Sequence, residues 1–196
     1  NRQAKRYRSA SVERANRIDE RVLHKVTRSV LGGLLHHKQV LSVALVTLSA
    51  IYSTRMTIHA LGAALAGVRG GYMKHGVKQV DRFLSNSKIH PHVLQKGLVW
   101  SVVGGRKRIE VSMDWTDFAQ DDHTTLALSL ILRHGRAIPL VWLTVKKSTL
   151  ENQQRSYELE TVRRLRDALP KHVHFTVIAD PGFGSGEQPT IATGTA

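Results

Sequence analysis

Arg108-Ile-Glu-Val-Ser-Met-Asp114 and His172-Val-His-Phe-Thr-Val-Ile-Ala-Asp180 decide how this chain reads. In the first run Ile109, Val111 and Met113 alternate with Arg108, Glu110, Ser112 and Asp114. That two-residue period predicts a strand, Arg108–Met113, with one buried face. In the second run Val173, Phe175 and Val177 share one side of a predicted strand His172–Ala179. Each run ends on an aspartate. A carboxylate inside an apolar strand would carry a large desolvation cost. At a strand end it reaches a hydrated pocket and can hold a hard cation. If the two strands lie side by side and parallel, Asp114 and Asp180 leave the same edge of the sheet. An aspartate at a strand end is also a common turn former or helix cap, so position alone leaves both readings open.

Between these runs, Leu126, Leu128, Leu130 and Leu132 alternate in a second strand. His134-Gly-Arg-Ala137 then predicts a hairpin turn into a third strand, Ile138–Val145, with Pro139 at a tolerable position near its start. A helix over about Glu151–Leu169 carries Leu159, Val162, Leu165 and Leu169 on one face, and Pro170 closes it. From residue 108 the order is therefore strand, strand, strand, helix, strand: an α/β domain with a mixed sheet. Asp117, Asp121 and Asp122 read as loop residues or caps. The eleven histidines show no zinc-like spacing. His36-His37 and His172/His174 read as solvated or strand-face residues. The residues from Gly184 to Ala196 are small, polar and aperiodic, and read as a disordered tail.

Upstream the period is helical. Val12, Ala15, Ile18, Val22, Val26 and Val30 predict a helix over Ser11–Leu31 that Gly32-Gly33 ends. Further helices follow over Val40–Tyr52, about Thr54–Ala66 with Ile58, Leu61 and Leu65 on one face, and Lys74–Leu84. In the last, Val77, Val80, Phe83 and Leu84 are expected inward. Lys74, Lys78 and Arg82 recur at every fourth position and share the outward face. A row of cations after a glycine-rich turn suits a phosphate backbone; an ordinary solvated face is the other reading. Arg106, Lys107 and Arg108 follow Gly104-Gly105, where the period changes from helical to two.

The net charge of +14 is segregated. Residues 1–108 hold 20 Lys+Arg against 4 Asp+Glu, whereas residues 109–196 hold 9 against 11. A basic half beside a near-neutral half points to a polyanion-binding module next to something else. A hydrophobic content of 41% in 196 residues is enough for a packed core. There is no cysteine, which excludes disulfides and thiolate metal sites and makes a reducing cytosol the simplest home. The first residues are polar and basic rather than those of a signal peptide. The most apolar stretch, Val40–Ile51, is too short to span a bilayer. A soluble, cytoplasmic protein without a membrane partner is expected.

Three segments together resemble bacterial insertion-sequence transposases of the DDE class, in the family named after insertion sequence four. They are Val111-Ser-Met-Asp-Trp-Thr-Asp-Phe118, Val177-Ile-Ala-Asp-Pro-Gly-Phe183 and Lys74-His-Gly-Val-Lys-Gln-Val-Asp-Arg-Phe-Leu-Ser-Asn86, and the resemblance runs from about Arg55 to Phe183. It implies a basic all-α DNA-binding region, residues 1–105, followed by the N-terminal part of an RNase H-like catalytic domain, residues 106–183, and the tail 184–196. It implies that Asp114 and Asp180 are catalytic carboxylates and ligands of Mg²⁺ or Mn²⁺. Ions of this kind take oxygen ligands and, roughly 3.5–4 Å apart, stabilise attacking and leaving oxygens of a phosphodiester. The implied activity is that of a polynucleotidyl transferase: metal-dependent hydrolysis at transposon ends, then attack of a 3′-hydroxyl on target DNA without a covalent protein intermediate. Double-stranded DNA, both ends and target, is the implied partner, with a homodimer assembling on it. Lys74, Lys78, Arg82, Arg106, Lys107 and Arg108 are the expected DNA contacts.

The sequence departs from the family at three places. Pro181 stands where the family has Arg. The resemblance ends after Phe183. The family's catalytic Glu, set among Tyr, Arg and Lys in a later helix, has no match, and Glu187, the one acid after Asp180, is not assigned its role. The expectation is a truncated copy with two of three carboxylates, a sheet incomplete at the C-terminus, an exposed edge and marginal stability. Three alternatives remain: a non-catalytic DNA-binding remnant, an RNase H-like nuclease of another kind, and a basic DNA-binding protein with a structural β domain.

Overall fold

The structure, a computed structural model, describes Ile18 and residues 20–118 and 121–179. Asp180, the tail 184–196 and the Ser11–Arg17 part of the first predicted helix lie outside the described residues. Among those described, the chain is α/β, with six α-helices and one four-stranded mixed sheet. It divides into two compact units, Asn1–Ile89 and His90–Ala196.

The first unit is helical: α1 (Glu20–Leu31), α2 (His37–Tyr52), α3 (Ile58–Arg69) and α4 (Met73–Leu84). Its core is Leu45, Leu61, Leu65 and Val80, with Val46 and Ala50 packed against them. Each such fully buried aliphatic side chain contributes about 1.5–3 kcal/mol. The buried face of α1 is rotated from the expected one. Leu23, Thr27, Val30 and Leu31 turn inward, whereas Val22 and Val26 are exposed. Both sets have helical spacing, so periodicity determines the helix and not its phase. Thr27 is tolerated inside because its hydroxyl donates to the Leu23 carbonyl at 2.8 Å.

Caps set the ends of these helices. His36 begins α2: its Nδ1 accepts from the Lys38 amide, and Gln39 Oε1 accepts from the His36 amide at 3.0 Å. Thr57 begins α3 by accepting from the Ala60 amide. Gly70, at φ +68°, ends it in the left-handed conformation that a glycine adopts without strain. Three residues, Gly70, Gly71 and Tyr72, then lead into α4. The two helices touch backbone to backbone. A Cβ on Gly76 would overlap the Gly62 carbonyl oxygen, and one on Gly62 would overlap the Val77 backbone. The Gly62–Gly76 contact therefore fixes how α3 and α4 cross. Of the residues expected inward on α4, Val80 is fully buried and Leu84 is exposed. Leu84 is in the last turn, where the helix has run past the core.

The second unit contains α5 (Pro91–Val103), β1 (Arg108–Phe118), β2 (His123–Ile131), β3 (Ala137–Lys146), a 3-10 turn (Lys147–Thr149), α6 (Gln154–Ala168) and β4 (His174–Ala179). The strand order is β3-β2-β1-β4. The first two pairings are antiparallel, and β4 runs parallel to β1. The residues expected as strand, strand, strand, helix, strand form those elements in that order. The hairpin between β2 and β3 closes with the Leu132 amide on the Arg136 carbonyl at 2.8 Å, and Gly135 takes φ +71°.

The helix α5 is not expected from the sequence pattern, and it packs with the sheet. The boundary expected at residue 105 lies at its C-terminal end, whereas the compact units part at its N-terminal end. The reason is burial. Val99 and Val103 share one core with Val111, Leu128, Leu140 and Leu165. Gln95, itself buried, donates to the Trp142 carbonyl of β3 at 2.8 Å, and the Trp100 indole donates to the Ala168 carbonyl of α6 at 2.7 Å. The connection from α6 to β4 is stapled by Arg166, whose guanidinium donates to the Val173 and Pro170 carbonyls, each at 2.8 Å. The same guanidinium lies 5.7 Å from the ring centre of Phe175.

Candidate metal-binding edge and basic surface

In β1 one face is apolar and the other polar. Ile109 and Val111 are buried, while Arg108, Glu110 and Asp114 on the opposite face are exposed. The strand runs on past Asp114 to Phe118, and Asp114 pairs with Ala127 of β2. The expectation that Asp114 ends its strand is thus corrected on the β2 side. On the β4 side the described residues pair in parallel from Arg108↔His174 to Met113↔Ala179. Asp114 is the next residue of β1, and Asp180 is the next residue of the sequence after β4. The strands are adjacent and parallel, the arrangement on which the shared-edge reading depends. Asp180 itself lies outside the described residues.

Asp114 avoids a burial penalty because the face it occupies is open. Its carboxylate makes no hydrogen bond or ion pair with the described residues. It is a free hard-oxygen donor, which fits a hard cation. The next residue anchors the strand from the other side. Trp115 Nε1 donates to Glu158 Oε1 of α6 at 3.2 Å, and Gln154 Nε2 donates to the same oxygen at 3.0 Å. Glu158 is thereby committed to holding β1 against α6.

Two neighbouring acids, Asp117 and Asp122, are committed as well, whereas Glu110 and Asp121 make no side-chain bond with the described residues. Asp117 reads as a loop or cap residue in the sequence, but it lies within β1, because β1 and β2 stay paired as far as Phe118↔His123. Its carboxylate accepts from Lys147 Nζ at 2.5 Å, and this bond, helped by Thr124, holds the group below the usual carboxylate range. Asp122 lies in the turn before β2, the loop placement expected of it. It accepts from the Ser148 hydroxyl and from the Ser148 amide at 3.0 Å, and the hydroxyl bond is the main cause of its lowered pKa. Among the described residues no three His, Cys, Asp or Glu side chains gather into a metal-holding group.

In the first unit, Lys74, Lys78 and Arg82 all lie exposed along α4. None has an ion-pair partner among the described residues. Lys78 and Arg82 border a surface hollow of about 550 Å³ between α2 and α4. In the second unit, Arg106, Lys107 and Arg108 are also exposed. Arg106 caps a helix: its guanidinium donates to the last carbonyls of α5, Val102 at 2.8 Å and Val103 at 3.0 Å. The Lys107 carbonyl accepts from the His174 amide at 2.9 Å, and Arg108 opens β1. No helix of the described residues is long and apolar enough to cross a membrane. Compared with protein-family models, curated proteins and solved structures, the chain matches none of them.

Proposed function

We propose that this chain acts on DNA as a DDE transposase of the insertion-sequence-four type, with an RNase H-like sheet, and that Asp114 and Asp180 hold its Mg²⁺ or Mn²⁺. The single observation that carries this reading is the parallel β1–β4 register, which sets Met113 opposite Ala179, the residues that precede the two aspartates in the sequence. The strand order β3-β2-β1-β4, with a helix leading into the parallel strand, supports the RNase H-like assignment. A bound divalent ion supplies Lewis acidity at the phosphodiester and activates the attacking oxygen. The chain's part is placement. Asp114 offers oxygen ligands from a rigid strand, and Trp115 and Glu158 fix that strand against α6.

The test is a nicking assay on duplex DNA with Mn²⁺. The expected result is nicked product that Asp114→Ala and Asp180→Asn each abolish, while Asp122→Asn retains it. Nicking that survives Asp114→Ala contradicts the assignment. A second reading, a DNA-binding protein that does not cleave, is favoured by the exposed cations Lys74, Lys78 and Arg82, which bind phosphate whatever happens at the sheet. It predicts salt-sensitive DNA binding with no nicked product in Mg²⁺ or Mn²⁺.

A further inference from the structure

The hollow between α2 and α4 has a lining that a simple phosphate grip does not need. Among the described residues its only permanent charges are positive, Lys78 and Arg82, and no carboxylate borders it. It therefore selects for an anion and against a metal ion or an amine. Both cations are exposed, whereas Gln79, Phe83 and Asn86 are half-buried. The cations are thus the more exposed part of the lining, beside two amides and an aromatic edge. Its volume, about 550 Å³, falls in the range of small-ligand sites, roughly 300–1,000 Å³.

The two amides differ. Asn86 Oδ1 already accepts from the Lys88 amide at 3.0 Å, which ties its side chain to the turn after α4. Ser42, on the α2 wall, donates to the Lys38 carbonyl of its own helix at 2.9 Å. Gln79 makes no side-chain hydrogen bond with the described residues. It is a half-buried amide with donor and acceptor both free. Neither atom is buried without a partner, so both are open to an incoming ligand, and the paired oxygen and nitrogen match the N6 donor and N7 acceptor of adenine.

We propose that Gln79 reads a base edge, with adenine as its preferred base, while Lys78 and Arg82 hold the flanking phosphates. This deepens the DNA-binding part of the proposed function and rests on it. It divides one helix into a sequence-reading residue and sequence-blind ones.

The experiment is selection of duplexes from a pool with a randomised core, using the full chain and sequencing the bound fraction. The wild-type protein is expected to enrich a site with one adenine position at about 5- to 150-fold over other bases. Gln79→Ala is expected to erase the preference at that position alone. Gln79→Glu is expected to move it to cytosine, whose N4 amine donates to a carboxylate. Lys78→Ala with Arg82→Ala should weaken binding to every sequence and lower the salt slope by about 1.8. An unchanged base preference in both Gln79 variants overturns the inference. Wild-type binding without any enriched sequence also overturns it, and leaves the DNA-binding reading standing. Absence of DNA binding by the wild-type chain overturns both.

Discussion

At the scale of single residues, four acids near the sheet differ in their partners. Glu158, Asp117 and Asp122 are bonded to Trp115, Lys147 and Ser148, and Asp114 has none of these ties. Asp122 gives a prediction with a definite sign. Its folded pKa lies below the ordinary value of 3.8. The stability it contributes is therefore complete above that value and is lost as pH falls through the lower folded value. Thermal midpoints of the wild-type protein and Asp122→Asn should differ at neutral pH and converge only as pH falls below 3.8. A gap that stays constant into acid would contradict the assigned bonds. The alternation around Asp114 was legible in the sequence, because a period of two on an apolar strand forces a polar residue outward. That β1 continues to Phe118 was not legible: Trp115-Thr-Asp-Phe118 is extended by its pairing with β2, a contact that no local pattern announces.

At the scale of elements, the tightest constraint lies between α3 and α4. Gly76→Ala would drive a methyl group into the Gly62 carbonyl. Overpacking of this kind costs about 1–3 kcal/mol, and a fall in the thermal midpoint of the helical unit would register it. Gly67→Ala, on α3, meets nothing within 4 Å and should be neutral or stabilise by up to about 1 kcal/mol. Equal effects of the two changes would contradict the close crossing. In the second unit, Arg166→Ala should cost about 1–3 kcal/mol, since the partly buried Val173 and Pro170 carbonyls lose their donor; chemical denaturation measures this. Periodicity announces α3, α4 and α6. Only Pro91 at the first turn announces α5, and the apolar residues of that helix run nearly all round it, so no single face was readable. Its packing partner is set by Val99 and Val103 meeting the sheet, which no local pattern encodes.

At the scale of the whole molecule, charge and sheet edges govern behaviour. Residues 1–89 hold 16 Lys+Arg against 4 Asp+Glu. DNA binding through the three cations of α4 alone should give a log–log salt slope of about −2.7, and a steeper one if further cations join. A flat salt response in fluorescence anisotropy would rule DNA out as the partner. Among the described residues β4 is an edge strand. Its outward groups favour self-association, so light scattering should rise with protein concentration. The charge segregation was visible in composition alone. The meeting of β1 with β4 depends on a crossover through α6, and the sequence could only state what would follow from it. On the proposed function, this crossover brings Asp114 and Asp180 to one metal-holding edge. Calorimetric titration with Mn²⁺ tests that most directly. Binding to the wild-type chain is predicted, with its loss in Asp114→Asn and in Asp180→Asn and its retention in Asp117→Asn. Unaltered Mn²⁺ binding in folded Asp114→Asn and Asp180→Asn, or no binding by the folded wild-type chain, would contradict it.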